Sequence, residues 1–263
     1  MEKYLLFEVV GDPSKDLAGT AVVSNLALKY PDRKIIVTTL FPEVWLHHPS
    51  VFRVYKLGNT QYFFDDYIEK KDTLIFRLDP FLTENFIYRR KHIIEIWSDL
   101  CNVPYEIKIP QIYFTARERE ATEKMTKRPK PLFFFETRAL LNTPPFDIWK
   151  AVPKINSLPF STIMAVVTAM QKEGFHPIHI KRLDEPELSG IEWINLPIRQ
   201  LLCAVKLGAE NLFLNSFMMQ AAAADMAAAT IISDPADWRV WGYENLDHLS
   251  TSSSADIIQN LIP

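Results

Sequence analysis

The sequence predicts an α/β protein built on parallel sheets, and three observations lead there. Short runs of β-branched and aromatic residues alternate with longer helical stretches along most of the chain, the pattern of strand–helix–strand units. Gly208 to Asp234 holds one whole unit: the apolar run Asn211–Leu214, the capping pair Asn215-Ser216, the Ala-rich run Gln220–Ala229, and a strand at Thr230–Ile232. With 48% hydrophobic and 23% charged residues, the 263-residue chain can bury a sizeable core.

The elements follow in order. Tyr4–Val10 is an apolar strand; Gly11 to Asp16 is a polar turn, and Leu17–Tyr30 an amphipathic helix closed by Pro31. Lys34–Thr39 is a second strand, with a short helix near Pro42–Leu46. Arg53–Leu57 and Thr73–Leu78 read as further strands, Arg89–Leu100 as a helix with a basic start, and Gln111–Phe114 as a brief strand before the charged helix Ala116–Lys127. The proline-punctuated stretch Lys127-Arg128-Pro129-Lys130-Pro131 reads as a linker. It divides the chain into residues 1–128 and 129–263.

A second set opens with the strand Leu132–Glu136 and a long irregular loop, Thr137–Pro159. Helices are expected at Ser161–Glu173, Ile198–Leu207 and Ser252–Ile262, and strands at His176–Lys181 and Ile191–Leu196. The architecture this describes is two facing Rossmann-like domains with a cleft between them.

Composition narrows the function. The net charge of -3 argues against a general nucleic-acid coat. Cys101 and Cys203 sit in apolar helical contexts, which fits a reducing cytoplasm and neither a disulfide framework nor a zinc site. No signal-peptide layout opens the chain, and the apolar run Phe217–Ile232 is interrupted by Gln220 and Asp225, so no membrane span is expected. Seven glycines against 18 prolines, with no Walker or G-x-G-x-x-G motif, set aside P-loop NTPases and common dinucleotide dehydrogenases. His47-His48 and His176/His179 lack the company a metal site needs.

Two segments carry a resemblance. GDPSKDLAGTAVVSNLALKYPDRKIIVTT, continued by PEVWLHHPSVFRVYKLGNTQYFFDDYI, is similar to the loop, helix and strands that open the ADP-heptose:lipopolysaccharide heptosyltransferases. Ile198–Ile232 resembles that family's later helix and its D-S-G-x-x-H-l-A-a-A segment. The resemblance implies the GT-B fold, a first domain for the acceptor and a second for a nucleotide-sugar donor. It extends to the family's short phage-encoded relatives. The chain departs from the pattern: Asn215-Ser216-Phe217 stands for Asp-Ser-Gly and Gln220 for His. Phe217 in place of glycine restricts close backbone approach.

The resemblance further implies a sugar transferase, inverting and metal-independent, with a nucleotide-diphosphate sugar as co-substrate and no other cofactor. Asp16 matches the position of the base, with Asp12 the competing carboxylate; complementing the helix dipole is the plainer role for Asp16. Asp12, Ser14 and Lys15 form the acceptor-side loop, where Lys15 either binds phosphate or is solvated. On the donor side stand Arg138, whose planar fork suits a diphosphate, Lys154 (with Lys150 as the competing alignment), Asn215, Ser216 and Gln220. The N–H groups at the start of the helix after Ser216 suit an anion.

The aromatic run Trp238–Tyr243 either stacks on a base or sugar or folds back as a plug. The acceptor is a saccharide hydroxyl or, by analogy with phage relatives, a hydroxymethylated pyrimidine in DNA, toward which Arg89-Arg90-Lys91 beside Tyr88 could contribute. Two other readings stand: a GT-B-fold binding protein that has lost catalysis, and a nucleotide-sugar epimerase.

Overall fold

A computed structural model describes residues 2–139, 157–181, 185–250 and 253–262. The chain forms two compact units. The first runs to Phe114 and the second begins at Thr115.

The first unit contains β1 (Lys3–Val9), α1 (Pro13–Lys29), β2 (Lys34–Thr39), a 3₁₀ turn (Pro42–Trp45), β3 (Val51–Lys56), α2 (Phe63–Tyr67), β4 (Asp72–Phe76), a second 3₁₀ turn (Pro80–Leu82), α3 (Glu84–Ile87) and α4 (Ile93–Leu100). Its four strands lie in the order β3-β2-β1-β4, all parallel. The central strands read as continuous apolar runs because both faces are covered. Leu5, Phe7, Ile36, Leu17, Val22 and Trp97 are buried between them and the helices.

The second unit contains α5 (Ala116–Thr126), β5 (Leu132–Phe135), α6 (Phe160–Lys172), β6 (His176–Ile180), β7 (Glu192–Ile194), α7 (Ile198–Val205), β8 (Glu210–Leu214), α8 (Phe217–Asp225), β9 (Thr230–Ile232), α9 (Pro235–Trp241), β10 (Asp247–Leu249) and α10 (Ser254–Leu261). Its sheet is also parallel, in the order β10-β9-β8-β5-β6-β7. β5 and β8 are neighbours, with Phe135 opposite Leu212, so the carboxyl ends of the two strands lie side by side.

Several boundaries differ from the sequence expectation, each for a physical reason. Helix α1 begins at Pro13 rather than Leu17, because Asp12 caps it by accepting from the N–H groups of Ser14 (2.8 Å) and Lys15 (3.3 Å). Proline suits the first helical position, where no N–H is needed. Residues 111–114 are not a strand. The start of this segment and the chain leading into it are bound by side chains of α1: Gln111 N–H donates to Thr20 Oγ1 (2.8 Å), and Ile107 N–H to Asn25 Oδ1 (2.8 Å).

Helix α5 belongs to the second unit, so the division falls before Thr115 and not at residue 128. A capping box of Thr115 and Glu118 starts α5, and Arg199 of α7 donates to Glu118 (2.8 Å). Arg89–Lys91 precede α4, whose cap is His92. Helix α8 stops at Asp225, where Met226 takes a left-handed conformation (φ 53°). Among the described residues, no helix is long and apolar enough to cross a membrane. Cys101 and Cys203 are buried free thiols.

Candidate active site

Each unit places polar residues at the carboxyl ends of its parallel strands, where open α/β sheets bind ligands. In the first unit this is the turn between β1 and α1. Asp12 is occupied as the helix cap. Burial raises its carboxyl above the usual range, against the lowering effect of the two N–H bonds.

Lys15 is buried rather than solvated. It is 2% exposed, bonded to Val10 O (2.9 Å), paired with Asp79 (2.8 Å), and held 4.6 Å above the Phe81 ring. This ties the start of α1 to the loop after β4. Gly11, at φ +152°, leaves room for it; a Cβ there would stand 2.9 Å from Lys15 Cδ. Ser14 is fully buried beside it.

Asp16 is fully buried and faces the end of β2 and the first 3₁₀ turn. The Thr39 hydroxyl and the Trp45 indole N–H (2.5 Å) both donate to its Oδ1. Its Oδ2 is buried and meets no partner. Burial pushes this carboxyl up to about 8; the two donors oppose that effect, and the carboxylates of Asp12 and Glu43 add to it. Beyond complementing a helix dipole, Asp16 is a carboxyl held near neutrality, the condition under which such a group can exchange protons.

In the second unit, Glu136 follows β5 and is fully buried. Its Oε1 accepts from Leu214 N–H (2.6 Å) and from the Ser216 hydroxyl (2.7 Å). Ser216 Oγ in turn accepts from Met218 N–H (3.1 Å), capping α8. Asn215 is half-buried in the turn before it, and Phe217 is buried. Gln220 is fully buried, and neither of its amide atoms meets a partner. Arg138, two residues beyond Glu136, is exposed and forms a backbone bridge with Ser157. Lys150 and Lys154 lie outside the described residues.

The structure thus brings Ser216 together with Glu136, and Asp16 with Thr39 and Trp45. Glu136, Thr39 and Trp45 were not singled out in the sequence. The one available signal for Glu136 was a lone acid closing the apolar run LFFF.

Other segments resolve as packing. Trp238–Trp241 belong to α9; Val240, Trp241 and Tyr243 are buried, and Trp238 Nε1 donates to Ser233 Oγ (2.7 Å). The aromatic run therefore folds back into its own unit. His48 is buried, and burial pulls its imidazole down to about 4. The cations near Tyr88 are engaged: Arg90 lies 4.9 Å over the Tyr88 ring and pairs with Glu84, and Lys91 pairs with Glu95 and Asp99. Among the described residues, no three His, Cys, Asp or Glu side chains gather as a metal site.

No family model and no curated protein sequence matches the chain. Solved structures do. Escherichia coli ADP-heptose LPS heptosyltransferase II superposes with a TM-score of 0.71 at 10% identity, over 98% of this chain and 97% of that one. The chain has the GT-B fold. A glycosyl transferase family 9 protein from Veillonella parvula gives 0.72 at 11% identity, over 98% and 88% of the two chains. E. coli heptosyltransferase WaaC, solved with ADP, gives 0.64 at 8% identity, over 97% and 98%. The GT-B frame therefore extends over nearly the whole chain, while the side chains within it differ almost everywhere.

Proposed function

We propose that this chain is a glycosyltransferase that moves a sugar from a nucleotide-diphosphate sugar to an acceptor hydroxyl. The observation that carries this reading is Asp16: a buried carboxyl raised to about 8, in the first turn of the helix that follows β1 in a GT-B fold whose solved neighbours include heptosyltransferases. In the reaction, Asp16 takes the proton of the acceptor hydroxyl as that oxygen attacks the anomeric carbon. The bond from that carbon to the diphosphate breaks with inversion, and the leaving oxygen keeps the electron pair. Asp16 is covered in the described state, so acceptor binding has to uncover it.

The start of α8, Arg138 and Lys154 receive the diphosphate, by helix N–H groups and by charge. Asn215 and Gln220 contact the rest of the donor. This scheme uses no metal. The acceptor we favour is a saccharide; for a hydroxymethylated pyrimidine in phage DNA, the cations at 89–91 would be the natural contacts, and Arg90 and Lys91 are already paired with carboxylates.

A second reading, a donor-binding protein without transfer activity, is favoured by one observation. Ser216 and the buried Glu136 already occupy the start of α8, with Phe217 beside them, and the Leu214 N–H and Ser216 hydroxyl that Glu136 accepts from are donors a diphosphate would need.

A thermal-shift panel of UDP, ADP, GDP and CDP with their sugars decides whether a donor binds. A ligand at about a hundred times its dissociation constant adds about 2.7 kcal/mol of stability. A selective shift that weakens in Arg138→Ala supports donor binding at this place, and no shift with any nucleotide ends both readings.

A further inference from the structure

We propose that Trp45, together with Thr39, is a positioning residue that reserves Oδ2 of Asp16 as the atom that gains and loses the proton. This rests on the reading of Asp16 as the base and names the atom and the groups that select it.

The geometry leaves one choice. An indole N–H can only donate, and Trp45 Nε1 points it at Oδ1 of Asp16 from 2.5 Å. A hydroxyl has one proton. Thr39 Oγ1 accepts from the Phe41 N–H (3.0 Å), and its own proton goes to the same Oδ1. With two donors aimed at it, Oδ1 has no room for a proton of its own. Protonation of Asp16 therefore takes place on Oδ2, the atom that meets no partner.

The sequence builds this arrangement in three places. Thr39 closes β2, the 3₁₀ turn that starts at Pro42 delivers Trp45, and Gly19, one turn along α1 from Asp16, clears the space for the indole. A Cβ at Gly19 would stand 3.3 Å from Trp45 Cη2, 3.4 Å from Trp45 Cζ2 and 3.4 Å from Phe7 Cε1. Trp45 is itself 1% exposed and meets Phe7 edge-on at 6.3 Å, so the indole has one seat.

Charged neighbours do not replace these donors. Asp12 at the helix start and Glu43 on the 3₁₀ turn both disfavour the ionised form, and Lys15 is engaged by Asp79 and Val10 O. The two hydrogen bonds are what favours ionisation of Asp16. Removing either should move its titration upward by about one pH unit, the size of one hydrogen bond to a charged group.

The test is a ¹³C NMR titration of the Asp16 carboxyl in the ligand-free protein, in wild type, Trp45→Phe and Thr39→Val. Thr39→Val keeps the shape of the side chain and guards against a packing defect in Trp45→Phe. We expect a midpoint near 8 in the wild type and a rise of about one pH unit in each variant. The pH–rate profile of sugar transfer should move by the same amount, with KM for the donor unchanged. Titrations that stay with the wild type in both variants overturn the proposal, as does a moved titration with an unmoved pH–rate profile. Loss of all nucleotide binding in the wild type would count against the transferase reading alone, because the carboxyl titration needs no donor.

Discussion

Replacing Asp16 with Asn should alter how stability depends on pH, by an amount that the burial of this carboxyl sets. In the folded protein burial pushes the group up to about 8, against an ordinary value of 3.8. Between those values the unfolded chain has released its proton while the folded protein still holds it. The folded state then binds more protons, so stability falls as pH rises. This contribution is whole below about pH 4, declines through the interval, and is gone above about pH 8. The slope is about 1.4 kcal/mol per pH unit, or about 4 kcal/mol between about pH 5 and about pH 8.

In Asp16→Asn the amide oxygen can still accept from Thr39 and Trp45, and there is no proton to lose. His48 and His92, which burial pulls down to about 4, act in the opposite direction below their unfolded value and are common to both proteins. The difference between wild type and variant therefore isolates Asp16. Urea unfolding of both proteins at about four pH values measures it. A difference that stays constant to within about 0.5 kcal/mol, the scale of extrapolation error, would refute the raised carboxyl.

Three further predictions concern the groups around the candidate site. Gly19→Ala should gain about 1 kcal/mol of helix propensity yet lose stability overall, because the new Cβ meets the buried rings of Trp45 and Phe7; a thermal melt gives the sign. Asn25→Leu removes the bonds to both the N–H and the C=O of Ile107, and urea unfolding should show a loss of about 3 kcal/mol. Ser216→Ala removes the α8 cap and one donor to Glu136. It should cost about 1 kcal/mol and change the thermal shift produced by the donor nucleotide, while Thr115→Ala, at the start of α5, costs a similar amount without changing that shift.

The strands were legible because parallel strands buried on both faces are unbroken apolar runs: KIIVTT matches β2 end to end, and the unit from Asn211 to Ile232 has its strands and its cap at Ser216 where the sequence puts them. What failed was what depends on side chains reaching across the fold. Residues 111–114 look like a strand, but Thr20 of α1 takes the Gln111 N–H, and Asn25 of α1 holds Ile107 just before it. The Asp-Pro pair at the start of α1 was a readable helix signal, and missing it hid that Asp16 lies inside the helix and faces inward.

The candidate site was half legible. Asp16 and Ser216 occupy sequence patterns that the fold explains, whereas Glu136, Thr39 and Trp45 gain their meaning from partners 80, 23 and 29 residues away in the chain. Helix α8 ends before the Ala-rich run does for a related reason: alanine favours continuing the helix, but Asn211 Nδ2 holds the Ala228 carbonyl (2.6 Å) outside it.

The most direct test of the account is a transfer assay with whichever nucleotide sugar stabilises the protein, offered with a panel of saccharide acceptors and read by mass spectrometry. The account predicts that the acceptor gains one sugar residue and that nucleoside diphosphate is released in equal amount. In Asp16→Asn the rate should fall by about 10²–10⁴-fold, the usual contribution of a general base, with donor affinity unchanged. Full turnover by Asp16→Asn would contradict the account.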